Sequence, residues 1–185
     1  MALDKILFLD LETTGFDPAT CHILEIGMLL VDAASLEVEA EGAWQIKQAS
    51  RGNHVTAKSL NMSDFVRDMH TTSGLLDMCD SAQAHTLYAA ETQLLDLCPP
   101  EPEKLVIAGY SAHFDRDFIR AHMPSLSDRM HYRLVNVSTF RECAKTWGFD
   151  TPQGSKAHRA LPDCHEALDE LRFYKHLFDK AKESL

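Results

Sequence analysis

The clearest regularity is a pair of apolar runs near the start of the chain. Lys5 to Asp10 (KILFLD) is apolar at four successive positions and closes on an aspartate, and Ile23 to Asp32 (ILEIGMLLVD) carries one charge, Glu25, inside a second run. Runs of this kind read as strands buried on both faces. Between Leu36 and Lys47, Val38, Ala40, Trp44 and Ile46 alternate with polar or small residues, which predicts a third strand paired in a meander. Helices are predicted over residues 62–70 and 82–98; in the second, Leu87, Ala90, Leu94 and Leu97 share a face, and Pro99-Pro100 stops it. A fourth strand (residues 104–109, KLVIAG), a helix over 115–122 and a fifth strand over 132–137 follow. The next helix starts at Ser138 or Thr139, with Thr139-x-x-Glu142 as a capping box and Gly148 past its end. The last runs from Pro162 to about Lys180, with Cys164, Leu168, Leu171 and Phe178 as its core face. Strands first, then alternating strand and helix, predict an α/β fold with a mixed five-stranded sheet flanked by helices.

Chemistry enters where the first strand ends. In an extended chain, residues two apart point the same way, so Asp10 and Glu12 place two carboxylates on one side of a buried strand end. Such a pair must meet cations or water, and a hard ion such as Mg²⁺ or Mn²⁺ suits carboxylate oxygens. Asp115 follows the fourth strand, where an aspartate alone reads equally well as a helix cap. His158 stands in the loop before the last helix and Asp163 in its first turn. If that turn faces Asp10, Asp163 completes a metal cage, and His158 is suited to take a proton from an attacking water.

Length and composition narrow the class. A chain of 185 residues with 45% hydrophobic and 25% charged positions is the size of one globular domain. The net charge of −10 lies in the first part: residues 1–100 carry 5 Lys+Arg against 15 Asp+Glu, whereas residues 101–185 carry 13 of each. That surface excludes a long electrostatic track for duplex nucleic acid, though not a short strand held by a few arginines and metal ions. Five irregularly spaced cysteines without a Cys-x-x-Cys pair read as free thiols of a reducing compartment. No apolar run is long enough to span a membrane, and the first residues lack the features of a secretory signal, so a cytoplasmic protein is expected.

Taken together, Phe8-Leu-Asp-Leu-Glu-Thr-Thr-Gly15, Phe114-Asp115 and His158-x-Ala-Leu-x-Asp163 resemble the motifs of the DEDDh 3′→5′ exonucleases. The stretches 62–75 (ending His-Thr-Thr-Ser-Gly-Leu), 131–139 (HYRLVNVST), 145–147 (KTW) and 158–174 resemble, within that superfamily, oligoribonuclease. The resemblance implies a ribonuclease H-like fold and hydrolysis of very short RNA, dinucleotides especially, to nucleoside 5′-monophosphates with two divalent cations. It implies that Asp10, Glu12 and Asp163 hold one ion, that Asp10 and Asp115 adjoin a second, and that His158 is the general base. Phe16 and His70 correspond to residues that wedge the bases. Ser111, Arg133 and Ser138 correspond to the grip on the substrate's 5′ phosphate, with Tyr132 and Arg133 supplied by the other subunit of a homodimer. The residues support part of this independently: a helix N-terminus at Ser138 attracts an anion, and Arg133 offers a bidentate contact.

The chain departs from the oligoribonuclease pattern at Thr13, Phe16, Phe65, Tyr110 and Pro162. Thr13-Thr14-Gly15 and His113-Phe114-Asp115 lean toward proofreading exonucleases, so a single-stranded DNA exonuclease is the alternative expectation.

Overall fold

The computed structural model describes residues 3–48, 55–101, 103–154 and 158–183. Strands β1 (Lys5–Thr13), β2 (Ile23–Asp32) and β3 (Val38–Gln45) form an antiparallel meander. Strands β4 (Leu105–Gly109) and β5 (Met130–Asn136) extend it in parallel with β1, giving the order β3-β2-β1-β4-β5. The helices are α1 (Asp64–Thr72), α2 (Leu75–Cys79), α3 (Leu87–Asp96), α4 (Ala112–His122), α5 (Pro124–Arg129), α6 (Val137–Thr146) and α7 (Ala160–Glu183).

The apolar runs are continuous because both faces of the sheet are covered. Leu7 and Leu9 of β1 pack with Phe118 and Ile119 of α4 and Leu94 of α3. Ile6 and Phe8 point the other way, into a cluster with Leu168 and Tyr174 of α7 and Ala144 of α6. This alternation assigns the next even-numbered positions, Asp10 and Glu12, to the α7 side. Asp10 lies opposite Gly27 of β2, and a Cβ at Gly27 would come within 2.4 Å of both the Ala160 carbonyl carbon and the Leu161 nitrogen. The bare glycine thus lets the start of α7 press onto the sheet beside Asp10.

Several elements depart from the expected bounds. Helix α3 starts at Leu87 rather than near residue 82, because His85 exchanges backbone hydrogen bonds with Gln45 and Lys47, and the Thr86 hydroxyl caps the Ala89 N–H. Helix α4 starts earlier than expected, at Ala112. Helix α6 continues directly from β5 with Asn136 as its cap residue, so Thr139 lies inside the first turn and the Thr139–Glu142 box is not the start signal. Phe178 is 62% exposed and leaves the core face of α7, and Leu97 lies at the surface past α3. All five cysteines are free thiols. Among the described residues no helix is long and apolar enough to cross a membrane.

Candidate active site

The parallel strands β1, β4 and β5 end on one edge, and the helices that follow β4 and β5 begin there. Open α/β sheets bind ligands at such an edge. Asp10 and Glu12 arrive on β1, and Asp163 comes from the first turn of α7. Their carboxylate oxygens lie within 4.8 Å of one another. Asp115, buried in the first turn of α4, turns back onto β1, and its Oδ1 accepts the Leu11 N–H at 3.0 Å. The sheet edge therefore gathers all four predicted carboxylates, three as a tight cluster and the fourth bound to the backbone between Asp10 and Glu12.

Burial disfavours charge on every member, and repulsion from neighbouring carboxylates adds to it at Asp10, Glu12 and Asp163. Asp10 is raised well above the ordinary aspartate value, by burial first and then by Asp115 and Glu12. Glu12 is pushed up to about 8 by burial, Asp163 and Glu25, with Arg159 countering in part. Burial lifts Asp115 to about 7. Asp163 stands at about 6, raised by burial and Glu166 and lowered by nearby His158. An all-oxygen donor set that repels itself in this way fits a hard divalent cation, which would supply the missing positive charge.

His158 is exposed on the loop leading into α7, close enough to affect Asp163 and His70 electrostatically. Its backbone is left-handed, with φ +48°. The next residue, Arg159, grips buried Glu25 on β2, directly opposite Glu12. That pair carried no signal in the sequence, apart from Glu25 being the one charge in an apolar run.

His70, expected from the resemblance to wedge the bases, is instead enclosed by the protein. It is 0% exposed, with Nε2 bonded to the Thr13 carbonyl at 2.9 Å and Nδ1 3.8 Å from Glu12 Oε2. The ring lies beneath the end of β1 and presents no face to a base. Phe16, by contrast, is 84% exposed and stands edge-on to Phe114 at 6.1 Å between ring centroids. With Phe65, Met69 and Glu12 these rings line a cavity of about 230 Å³ adjoining the carboxylates. In the sequence Phe65 stood out only as a departure from a motif, and Phe114 only as the neighbour of Asp115 within one.

Ser111 is the cap residue of α4, and Ser138 lies in the first turn of α6, where its hydroxyl donates to the Tyr110 carbonyl. The structure thus brings the two serines to neighbouring helix starts. Tyr132 and Arg133 sit on the exposed edge strand β5; Arg133 Nε donates to the Tyr132 hydroxyl at 2.9 Å, and the Tyr132 ring stacks on His131. A cavity of about 510 Å³ lies elsewhere, between α6 and α7, walled by Phe140, Trp147, Phe149, Tyr174 and Phe178.

Residues 7–171 match the sequence model of an exonuclease family. An oligoribonuclease of Corynebacterium diphtheriae is 38% identical over 181 residues, spanning 93% of this chain and 82% of the relative. The chain belongs to the oligoribonuclease family. A further oligoribonuclease, from Mycobacterium leprae, is 34% identical over 93% of this chain and 80% of its own length. Among solved structures, E. coli exonuclease I in complex with a dT13 oligonucleotide superposes with a TM-score of 0.66 at 18% identity, over 96% of this chain and 43% of that protein. Cell-death related nuclease 4 gives 0.65 at 16% identity, over 95% and 65%. At that identity these two establish the shared ribonuclease H-like fold, and this chain spans under half of exonuclease I. As an oligoribonuclease-family member the protein is a nucleic-acid hydrolase, a 3′→5′ exonuclease by family.

Proposed function

We propose that the protein hydrolyses very short single-stranded RNA, dinucleotides above all, from the 3′ end to nucleoside 5′-monophosphates. The observation that carries this reading is the Asp10–Glu12–Asp163 cluster beside an aromatic slot of about 230 Å³ that Glu12 helps to line. Asp10, Glu12 and Asp163 would hold one Mg²⁺ or Mn²⁺, and Asp115 with Asp10 would face a second. Two such ions supply Lewis acidity for water activation and neutralise charge on the attacking and leaving oxygens of a phosphodiester.

The chain's own residues do the rest. His158, exposed beside Asp163, takes the proton of the attacking water. Phe16, Phe65 and Phe114 hold a base by stacking. The starts of α4 and α6, at Ser111 and Ser138, offer backbone N–H groups to the far phosphate. Tyr132 and Arg133, on an exposed edge strand, would serve a second copy in a homodimer; the apolar face between α6 and α7 gives such an assembly surface to cover.

The three phenylalanines favour a second reading, a single-stranded DNA exonuclease, because ring stacking ignores the sugar. A time course on 5′-labelled RNA and DNA dinucleotides, trinucleotides and longer strands, with Mn²⁺ and a chelator control, separates the two. Dinucleotide RNA cleared fastest supports the proposal; equal or faster attack on long DNA replaces it with the second reading.

A further inference from the structure

We infer that Glu25 and Arg159 are positioning residues, a clamp that holds the general base in its working orientation. This rests on the role given to His158 above. The starting observation is that His158 is held at φ +48°, a conformation a residue with a side chain keeps only when its surroundings impose it.

The next two residues provide that imposition. Arg159 donates from Nε to Glu25 Oε2 at 2.9 Å and from Nη2 to Oε1 at 2.6 Å, and the Ala160 N–H donates to Oε2 at 3.0 Å. One carboxylate on β2 thus fixes both the side chain and the backbone immediately after His158. Gln45 Nε2, on β3, completes the set at 2.8 Å and ties Glu25 to the sheet. Glu25 is 1% exposed, and its oxygens are taken up by these donors. That is why a further carboxylate so close to Glu12 stays out of the metal-capable cluster. A bidentate guanidinium–carboxylate pair is stiff in both distance and plane, unlike a point contact from an ammonium. Arg159 also passes its carbonyl to the Asp163 N–H at 3.0 Å, so the clamp lies between the base and a ligand-bearing turn.

The test compares Arg159→Gln and Arg159→Lys with the parent enzyme and with His158→Ala, by steady-state kinetics on a dinucleotide and by Mn²⁺ titration. Arg159→Gln leaves the buried Glu25 without its guanidinium, so a thermal melt first establishes that each variant is folded at the assay temperature. The expected result for Arg159→Gln is a fall in kcat of about tenfold to hundredfold, the scale of a slightly misplaced catalytic group, with KM and Mn²⁺ affinity near parental values. Arg159→Lys should recover part of the loss. In a His158→Ala background the same substitution should cost nothing more, since there is no base left to aim. Full kcat in Arg159→Gln, a loss that adds undiminished to His158→Ala, or a matching loss of Mn²⁺ affinity would overturn the clamp. Undiminished turnover by His158→Ala alone would instead overturn the base assignment on which it rests.

Discussion

Glu12 and Glu25 stand opposite each other on β1 and β2, yet burial and repulsion push the Glu12 carboxyl up to about 8 while Glu25 is held below the ordinary glutamate value. Burial opposes the charge on both; the difference lies in the donors. Arg159, Ala160 and Gln45 all point at Glu25, whereas Glu12 faces Asp163 and a neutral, buried His70. Two like residues in one register position therefore divide the work, one anchoring structure and one left short of positive charge.

That shortage gives the metal-free protein a particular pH dependence. Glu12, Asp115 and Asp163 have folded-state values of about 8, 7 and 6, above their unfolded values. Their contribution to stability is fully present below about pH 4 and is lost as pH rises through 6 to 8. Buried His70, lowered in the folded state, works in the opposite direction below its unfolded value. A cation removes the carboxylate cost, so the rise in Tm on adding Mn²⁺ should be small near pH 5 and largest near pH 9. Calorimetric melts with and without Mn²⁺ measure it, and a rise independent of pH contradicts the assignment.

Asp10 and His158 should separate cleanly. Asp10→Asn should remove both turnover and the Mn²⁺-induced rise in Tm, and should leave the metal-free melt unchanged or higher because a repelling carboxyl is gone. His158→Ala should keep the Mn²⁺ effect and lose about 10²- to 10⁴-fold in kcat. Reversal of the two patterns in melts and kinetics would exchange the roles.

Gly27→Ala probes the approach of α7 to the sheet. The added methyl would fall 2.4 Å from backbone atoms of Ala160 and Leu161, which no side-chain rotation relieves. Overpacking of this kind costs about 1–3 kcal/mol, read from denaturant unfolding. Displacement of Asp163 should also weaken Mn²⁺ binding, and unchanged affinity would show that the turn has room to move.

The aromatic slot should show its effect in KM. Stacking of one base is worth about 1–3 kcal/mol, so Phe65→Ala or Phe16→Ala should raise KM for a dinucleotide about tenfold or more with kcat changed little. A change confined to kcat would place these rings outside the binding site.

The strands and the Asp10–Glu12 pair were legible because their information is local, whereas Asp115 and Asp163 joined them only through the family resemblance. An apolar run marks a buried strand, and two-residue spacing puts Asp10 and Glu12 on one side. The start of α3 was misread because periodicity is blind to the backbone bonds that His85 gives to β3. Helices α2 and α5 are too short to show a period. Phe178 keeps the helical spacing of a core residue, but it lies in the last turns of α7, where it reaches the surface. His70 is buried by the packing of α1 under β1, which no neighbour in sequence announces. The Arg159–Glu25 clamp joins residues 134 positions apart, and only the folded chain reveals it.

The carboxylate cluster draws on positions 10, 12 and 163, so it joins the first strand to a helix far along the chain. A chain in which α7 has not yet packed on the sheet presents two of these carboxylates on β1 and lacks the third. The cluster is thus complete only once α7 settles against β2 beside Gly27.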